Sequence, residues 1–167
     1  MQGYFSEYFA FRITFPDSWE LTSWRNAKIN RDWRSLYQLH DNDLPEKSGS
    51  KFLFTANRYS PQTTVKIDAS IEMSVFRLVE GEDFSKSVRE NILREGRKIQ
   101  DEGNWLIGDV HFSYVDEAIR AKDSTGKFRF VFRHFKEDLW LYAKIAGYSK
   151  ECFAESLKIF AGVMTKT

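Results

Sequence analysis

Between Lys66 and Val75 the chain alternates without a break: Ile67, Ala69, Ile71, Met73 and Val75 stand against Lys66, Asp68, Ser70, Glu72 and Ser74. Successive side chains of a strand point to opposite faces, so a period of two gives one apolar and one polar side. Strands of a parallel sheet are usually apolar on both sides, because helices cover both. This segment therefore predicts an antiparallel sheet, and the rest of the chain has to be fitted to it.

Phe9, Phe11, Ile13 and Phe15 alternate with Ala10, Arg12 and Thr14, a half-buried strand that Pro16-Asp17-Ser18 ends with turn residues. Trp19 to Trp24 reads as a short second strand. Trp33, Leu36, Tyr37 and His40 recur at helical spacing within 25–43, and Asn42 to Ser50 reads as an exposed loop. Phe52, Phe54 and Ala56 open another strand, interrupted by Pro61. Asp83 is placed to cap a helix from Phe84 to Asp101, with Phe84, Val88, Ile92 and Ile99 on its apolar face. Gly96 would permit close approach to the sheet, and Gly103 would close the helix. A three-strand meander follows: Trp105 to Val115, continued or bulged through Glu117 to Lys122, then Lys127 to Phe135, then Leu139 to Tyr148. Ser149 caps a last helix that buries Phe153, Leu157, Phe160 and Met164. The expectation is one α+β domain over 1–167, an antiparallel sheet of about six strands packed by two main amphipathic helices.

The chain of 167 residues carries 15 Phe, 7 Tyr and 5 Trp, more ring area than a domain this small hides easily. Some of it is expected at a surface that uses it. With 25 basic and 24 acidic residues, the charge balance argues against nucleic acid as a partner. A single cysteine, Cys152, excludes an intramolecular disulfide and a multi-cysteine zinc site. No apolar run is long enough to span a bilayer. The N-terminus lacks the basic and apolar regions of a signal peptide, so the compartment is cytoplasmic as written, or periplasmic if a signal peptide was removed.

The segment Phe11-Arg12-Ile13-Thr14-Phe15-Pro16-Asp17-Ser18-Trp19, an aromatic strand ending in Pro, a short turn and Trp, resembles the start of PsbP-like domains. That group includes the Mog-type nuclear import factors and bacterial domains related to DcrB, among them the Eag chaperones of type VI secretion. The order after it is similar over nearly the whole chain: an alternating strand, a helix, a meander and a C-terminal helix. The resemblance implies a central antiparallel sheet between helices, an α/β/α sandwich. It also implies a function by binding, as subunit, adaptor or chaperone, and it transfers no functional residue to this sequence.

No short catalytic or metal signature is present: no Walker sequence, no GxGxxG and no His-Glu-x-x-His. His40 near Asp41 and Asp43 has metal-like spacing only if the helix persists there, and solvated helix-end residues are the simpler account. His134 shares phase with Phe128, Phe130 and Phe132, at the boundary of a core face, while His111 opposes Phe112. Whether the two histidines reach one face depends on strand register. A pocket joining either to a carboxylate would indicate an enzyme. Cys152, beside the buried stripe of the last helix, reads as a packing residue. Arg25, Lys28, Arg31 and Arg34 with Trp24 and Trp33 could stack and neutralise single-stranded nucleic acid, or form a solvated helical edge. No cofactor and no metal is expected.

The candidate surface lies on the C-terminal hairpin. If Leu139, Leu141, Ala143 and Ile145 face the core, Trp140, Tyr142 and Lys144 face away. On the neighbouring strand Arg129, Arg133 and Phe135 oppose Phe128, Phe130 and Phe132. Together Trp140, Tyr142, Lys144, Arg129, Arg133 and Phe135 would make an aromatic and basic patch of the kind favoured at protein-binding hot spots. The alternative is that a helix covers this face and the rings are core. The functional expectation is a non-enzymatic domain that binds another protein. A small-molecule or lipid carrier using a concave aromatic sheet face stands second, and an enzyme with an unrecognised site third.

Overall fold

The computed structural model describes residues 2–6, 9, 11–23, 49–60, 66–78, 81–119, 125–136 and 138–162. The elements in chain order are β1 (Gln2–Ser6), β2 (Phe11–Phe15), β3 (Trp19–Ser23), β4 (Ser50–Tyr59), β5 (Ile67–Arg77) and α1 (Phe84–Arg94). β6 (Asp101–Ile107), β7 (Val110–Ala118), β8 (Lys127–Lys136), β9 (Leu139–Gly147) and α2 (Lys150–Ala161) complete them. The helix expected over 25–43, the basic segment around Arg25 to Arg34, His40, and Met164 lie outside the described residues.

The alternation at Ile67–Val75 becomes β5, the third strand of a seven-stranded sheet in the order β3-β4-β5-β9-β8-β7-β6. Every neighbouring pair is antiparallel. β9 inserts between β5 and β8 and so joins the early strands to the late meander. β1 and β2 form a separate antiparallel pair. The main sheet thus has seven strands against the about six expected, the first meander strand being two strands, and the β1–β2 pair stands outside it.

One sheet face is covered by the β1–β2 pair and α2. Tyr4 and Phe15 set their rings 4.8 and 5.8 Å from Phe54 of β4. Phe160 of α2 reaches Trp105 of β6 at 5.6 Å and Phe112 of β7 at 5.8 Å. This is the larger core, with Ile71, Val75, Leu141, Ala143 and Ile145 in its floor. On the opposite face α1 lays Phe84 4.4 Å from Phe76 and 5.5 Å from Tyr142. Ile92, one turn pair further along α1, joins Val115, Phe130 and Phe132.

α1 is shorter than expected. Asp83 caps it, accepting from the Ser85 and Lys86 backbone N–H groups, but it ends at Arg94. Gly96 takes φ +74°, and the N–H groups of Gly96 and Arg97 donate to the carbonyls of Leu93 and Ile92. That is a Schellman ending, which needs a left-handed residue at Gly96 and not a close approach to the sheet. Gly103 is correspondingly a residue of β6 and not a helix stop. At the other end of β6 the chain reverses through Gly108 and Asp109, with Ile107 opposite Val110. Gly108 has φ 59°, as a two-residue hairpin turn requires.

Candidate functional site

The β7–β8 ladder stops before either strand does. It runs from Ala118↔Lys127 to Ser113↔Phe132. β7 continues to Val110 against β6, and β8 continues to Lys136 against β9. The two strands part over 110–112 and 133–136. A bulge at Phe135, between His134 and Lys136, bends β8 there, since an extra residue kinks and twists the strand that carries it. The ring of Phe135 meets Phe9 edge-on at 4.7 Å, which ties the bulge to the β1–β2 side of the core.

At the fork lies an open cleft of about 380 Å³, lined among the described residues by Asn104, Asp109, the β7 segment Val110 to Ser113, Phe132, Arg133, His134 and Trp140. Extending the register two residues past Ser113↔Phe132 sets His111 across from His134 on one sheet face. Both are exposed. His134 also lies against Trp140 with ring centres 4.9 Å apart. Arg133 comes from the other face of β8. It is half-buried, its guanidinium is 6.0 Å from the Phe135 ring, and burial lowers its pKa. Arg58, Arg77, Arg89, Arg97 and Arg129 each pair with a carboxylate; among the described residues Arg133 pairs with none. Among the described residues Asp109 is the one carboxylate lining the cleft.

The six residues of the expected patch do not share a face. Residues directly opposite in an antiparallel pair point to the same side. Phe130↔Lys144, Phe132↔Tyr142 and His134↔Trp140 therefore put Trp140, Tyr142 and Lys144 on the α1 side. Arg129↔Ile145 and Arg133↔Leu141 put the two arginines on the side of the larger core, and Phe135 packs on that side with Phe9. This is a correction, and its cause is register. Tyr142 lies within 5.6 Å of Phe76 and Phe132 as well as under Phe84. Burial, then Glu72 and Glu117, pushes its hydroxyl pKa up. Lys144 places Nζ 4.4 Å from the centre of the Phe128 ring. Arg129 is held by Asp116 through bonds of 2.7 and 2.9 Å and lies 4.0 Å over Tyr114. Of the six, Arg133 and Trp140 line the cleft, from opposite faces.

Cys152 is half-buried on α2, its Sγ 3.5 Å from Arg58 Nη2, which also pairs with Asp68, while Nη1 of the same guanidinium pairs with Glu155. Asn104, Asp109 and Ser113 were not singled out from the sequence. The signal for the turn beside them was there: apolar residues are odd-numbered at Trp105 and Ile107 and even-numbered at Val110 and Phe112, a change of phase that a two-residue turn produces.

No family model and no curated protein matches the chain. A solved structure from Bacteroides thetaiotaomicron VPI-5482 is similar at TM-score 0.47 and 11% identity, covering 95% of this chain and 46% of that one. This chain thus spans under half the length of that protein.

Proposed function

We propose that this chain is a non-enzymatic binding domain, an α/β/α sandwich of the PsbP-like kind, that acts as a protein adaptor, accessory subunit or chaperone. The observation that supports this reading is the cleft at the β7–β8 fork, which Trp140 and Arg133 both line. Trp and Arg are the residue types that most often dominate binding energy between proteins. The test is a crosslinked pull-down from the source organism, identified by mass spectrometry, with wild type and Trp140→Ala. Trp140 and Tyr142 are both half-buried against the α1-side core, but only Trp140 lines the cleft, so it is the one substituted and the variant's fold is checked. A protein captured by wild type and lost by a folded variant supports an adaptor. Equal capture by both removes the cleft from the interface.

The second reading, a small-molecule carrier, draws on the cleft volume, which falls at the low end of the roughly 300–1,000 Å³ of ligand pockets. The aromatic face itself is occupied by Phe84, so a carried ligand would sit in the fork. Native mass spectrometry of the purified chain, with release of a bound small mass on denaturation, would favour the carrier.

A further inference from the structure

The geometry points to the β7–β8 fork as a site for an extended acidic peptide, with Arg133 receiving the carboxylate and β7 receiving the peptide backbone. The inference rests on the fork being the binding surface and adds the chemistry of what fills it. Three observations carry it. First, Arg133 lines the cleft and has no carboxylate among the described residues, while Arg58, Arg77, Arg89, Arg97 and Arg129 each have one. A half-buried guanidinium gains most from an anion, because a carboxylate accepts two of its N–H bonds in parallel. Second, the remaining polar lining among the described residues carries groups that can donate, His111, His134, Asn104, Ser113 and Trp140, against one carboxylate, Asp109. Third, β7 has a β6 partner and no β8 partner over 110–112. An extended segment can add there as a strand, its backbone making the bonds and alternate side chains entering the cleft. Phe112, Phe132 and Trp140 give such side chains apolar walls. A free inorganic anion would use only the first two of these features.

The probes are a seven-residue peptide of alternating Thr and Val with a central Glu, and the same peptide with a central Gln. Each is titrated to millimolar concentration into the full 15N-labelled chain and followed by NMR. The Glu peptide is expected to bind at least roughly tenfold more tightly than the Gln peptide, the contribution of one charge-assisted pair. It should shift the amides of Val110 to Ser113 and the Arg133 Nε resonance. Arg133→Gln should abolish the difference between the peptides, and Arg133→Lys should restore part of it. Asp109→Asn, at an exposed turn, should tighten the Glu peptide roughly two- to fivefold, a gain that misfolding cannot imitate. Equal binding of the two peptides, or no shift at millimolar concentration, overturns the inference. So does inorganic phosphate reproducing the Arg133 shift while neither peptide moves β7. Capture of a protein in the pull-down and its loss in Trp140→Ala, alongside equal binding of Glu and Gln peptides, would keep the binding domain and sink the acidic ligand.

Discussion

A tyrosine read from the sequence as a contact residue and a tyrosine packed beneath a helix differ in how they titrate. Tyr142 is ringed by Phe76, Phe84, Phe130 and Phe132, and burial, with Glu72 and Glu117 adding to it, raises its hydroxyl pKa. The folded pKa lies above the unfolded value of about 10, so above that pH the unfolded chain releases a proton that the folded chain keeps. The stability this contributes is complete below about pH 10 and is lost as pH rises beyond it. Urea denaturation between pH 9 and 11.5 should show wild type losing stability faster than Tyr142→Phe. Parallel losses in the two proteins would mean that the hydroxyl is solvated. Arg129 was misassigned for a related reason. Its charge suggested a surface, yet Asp116 and the Tyr114 ring hold it with only 13% of its side chain exposed, and a paired arginine is available to no partner.

At the scale of elements, legibility tracked whether a strand is two-faced. β5 has one polar side in sequence and was read correctly, as were the caps Asp83 and Ser149. β8 carries apolar residues on both sides, Phe128, Phe130 and Phe132 toward α1 and Val131 and Phe135, alongside Arg129 and Arg133, toward the larger core. Its alternation therefore says nothing about which side pairs with Trp140 and Tyr142 of β9. The fork was invisible for a deeper reason: where a ladder stops is a property of two strands and a bulge, and neither strand encodes it alone. Gly96 was misread by the same route, as a residue type without its backbone. Gly96 is defined by φ +74° with nothing within 4 Å of an added Cβ, and Gly147 by a Cβ that would sit 2.0 Å from the Phe153 backbone nitrogen of α2. Gly96→Ala is thus expected to cost about 1–2 kcal/mol, the strain of a left-handed alanine. Gly147→Ala should cost more, because β9 and α2 must separate to admit the methyl group. Chemical denaturation ranks the two, and a smaller loss at Gly147 would mean that α2 shifts freely on the sheet.

Across the whole molecule, the β1–β2 side of the core and the cleft are joined through one ring contact. Phe9 is 1% exposed, its backbone N–H donates to Ser6 Oγ, and its ring meets Phe135 at 4.7 Å. Phe135 is the bulged residue of β8, three residues past the last β7–β8 pair at Phe132. Phe9, between β1 and β2, thus touches the bulge of β8 beside a cleft that, among the described residues, neither strand lines. Phe9→Ala should cost about 3–5 kcal/mol, as large buried rings do when truncated. In the fraction that remains folded, Phe135 loses its neighbour and the bulge is free to relax toward a regular ladder, drawing β8 back onto β7. The histidine ring resonances report this directly, since His111 and His134 stand on the two sides of the fork and far from the mutated ring in sequence. Both should move in Phe9→Ala, and slower exchange of the β7 amides over 110–112 should accompany them as new ladder bonds form. A loss of stability with unmoved histidines would show that the N-terminal strands seal the core without setting the fork, which would then owe its geometry to the bulge alone.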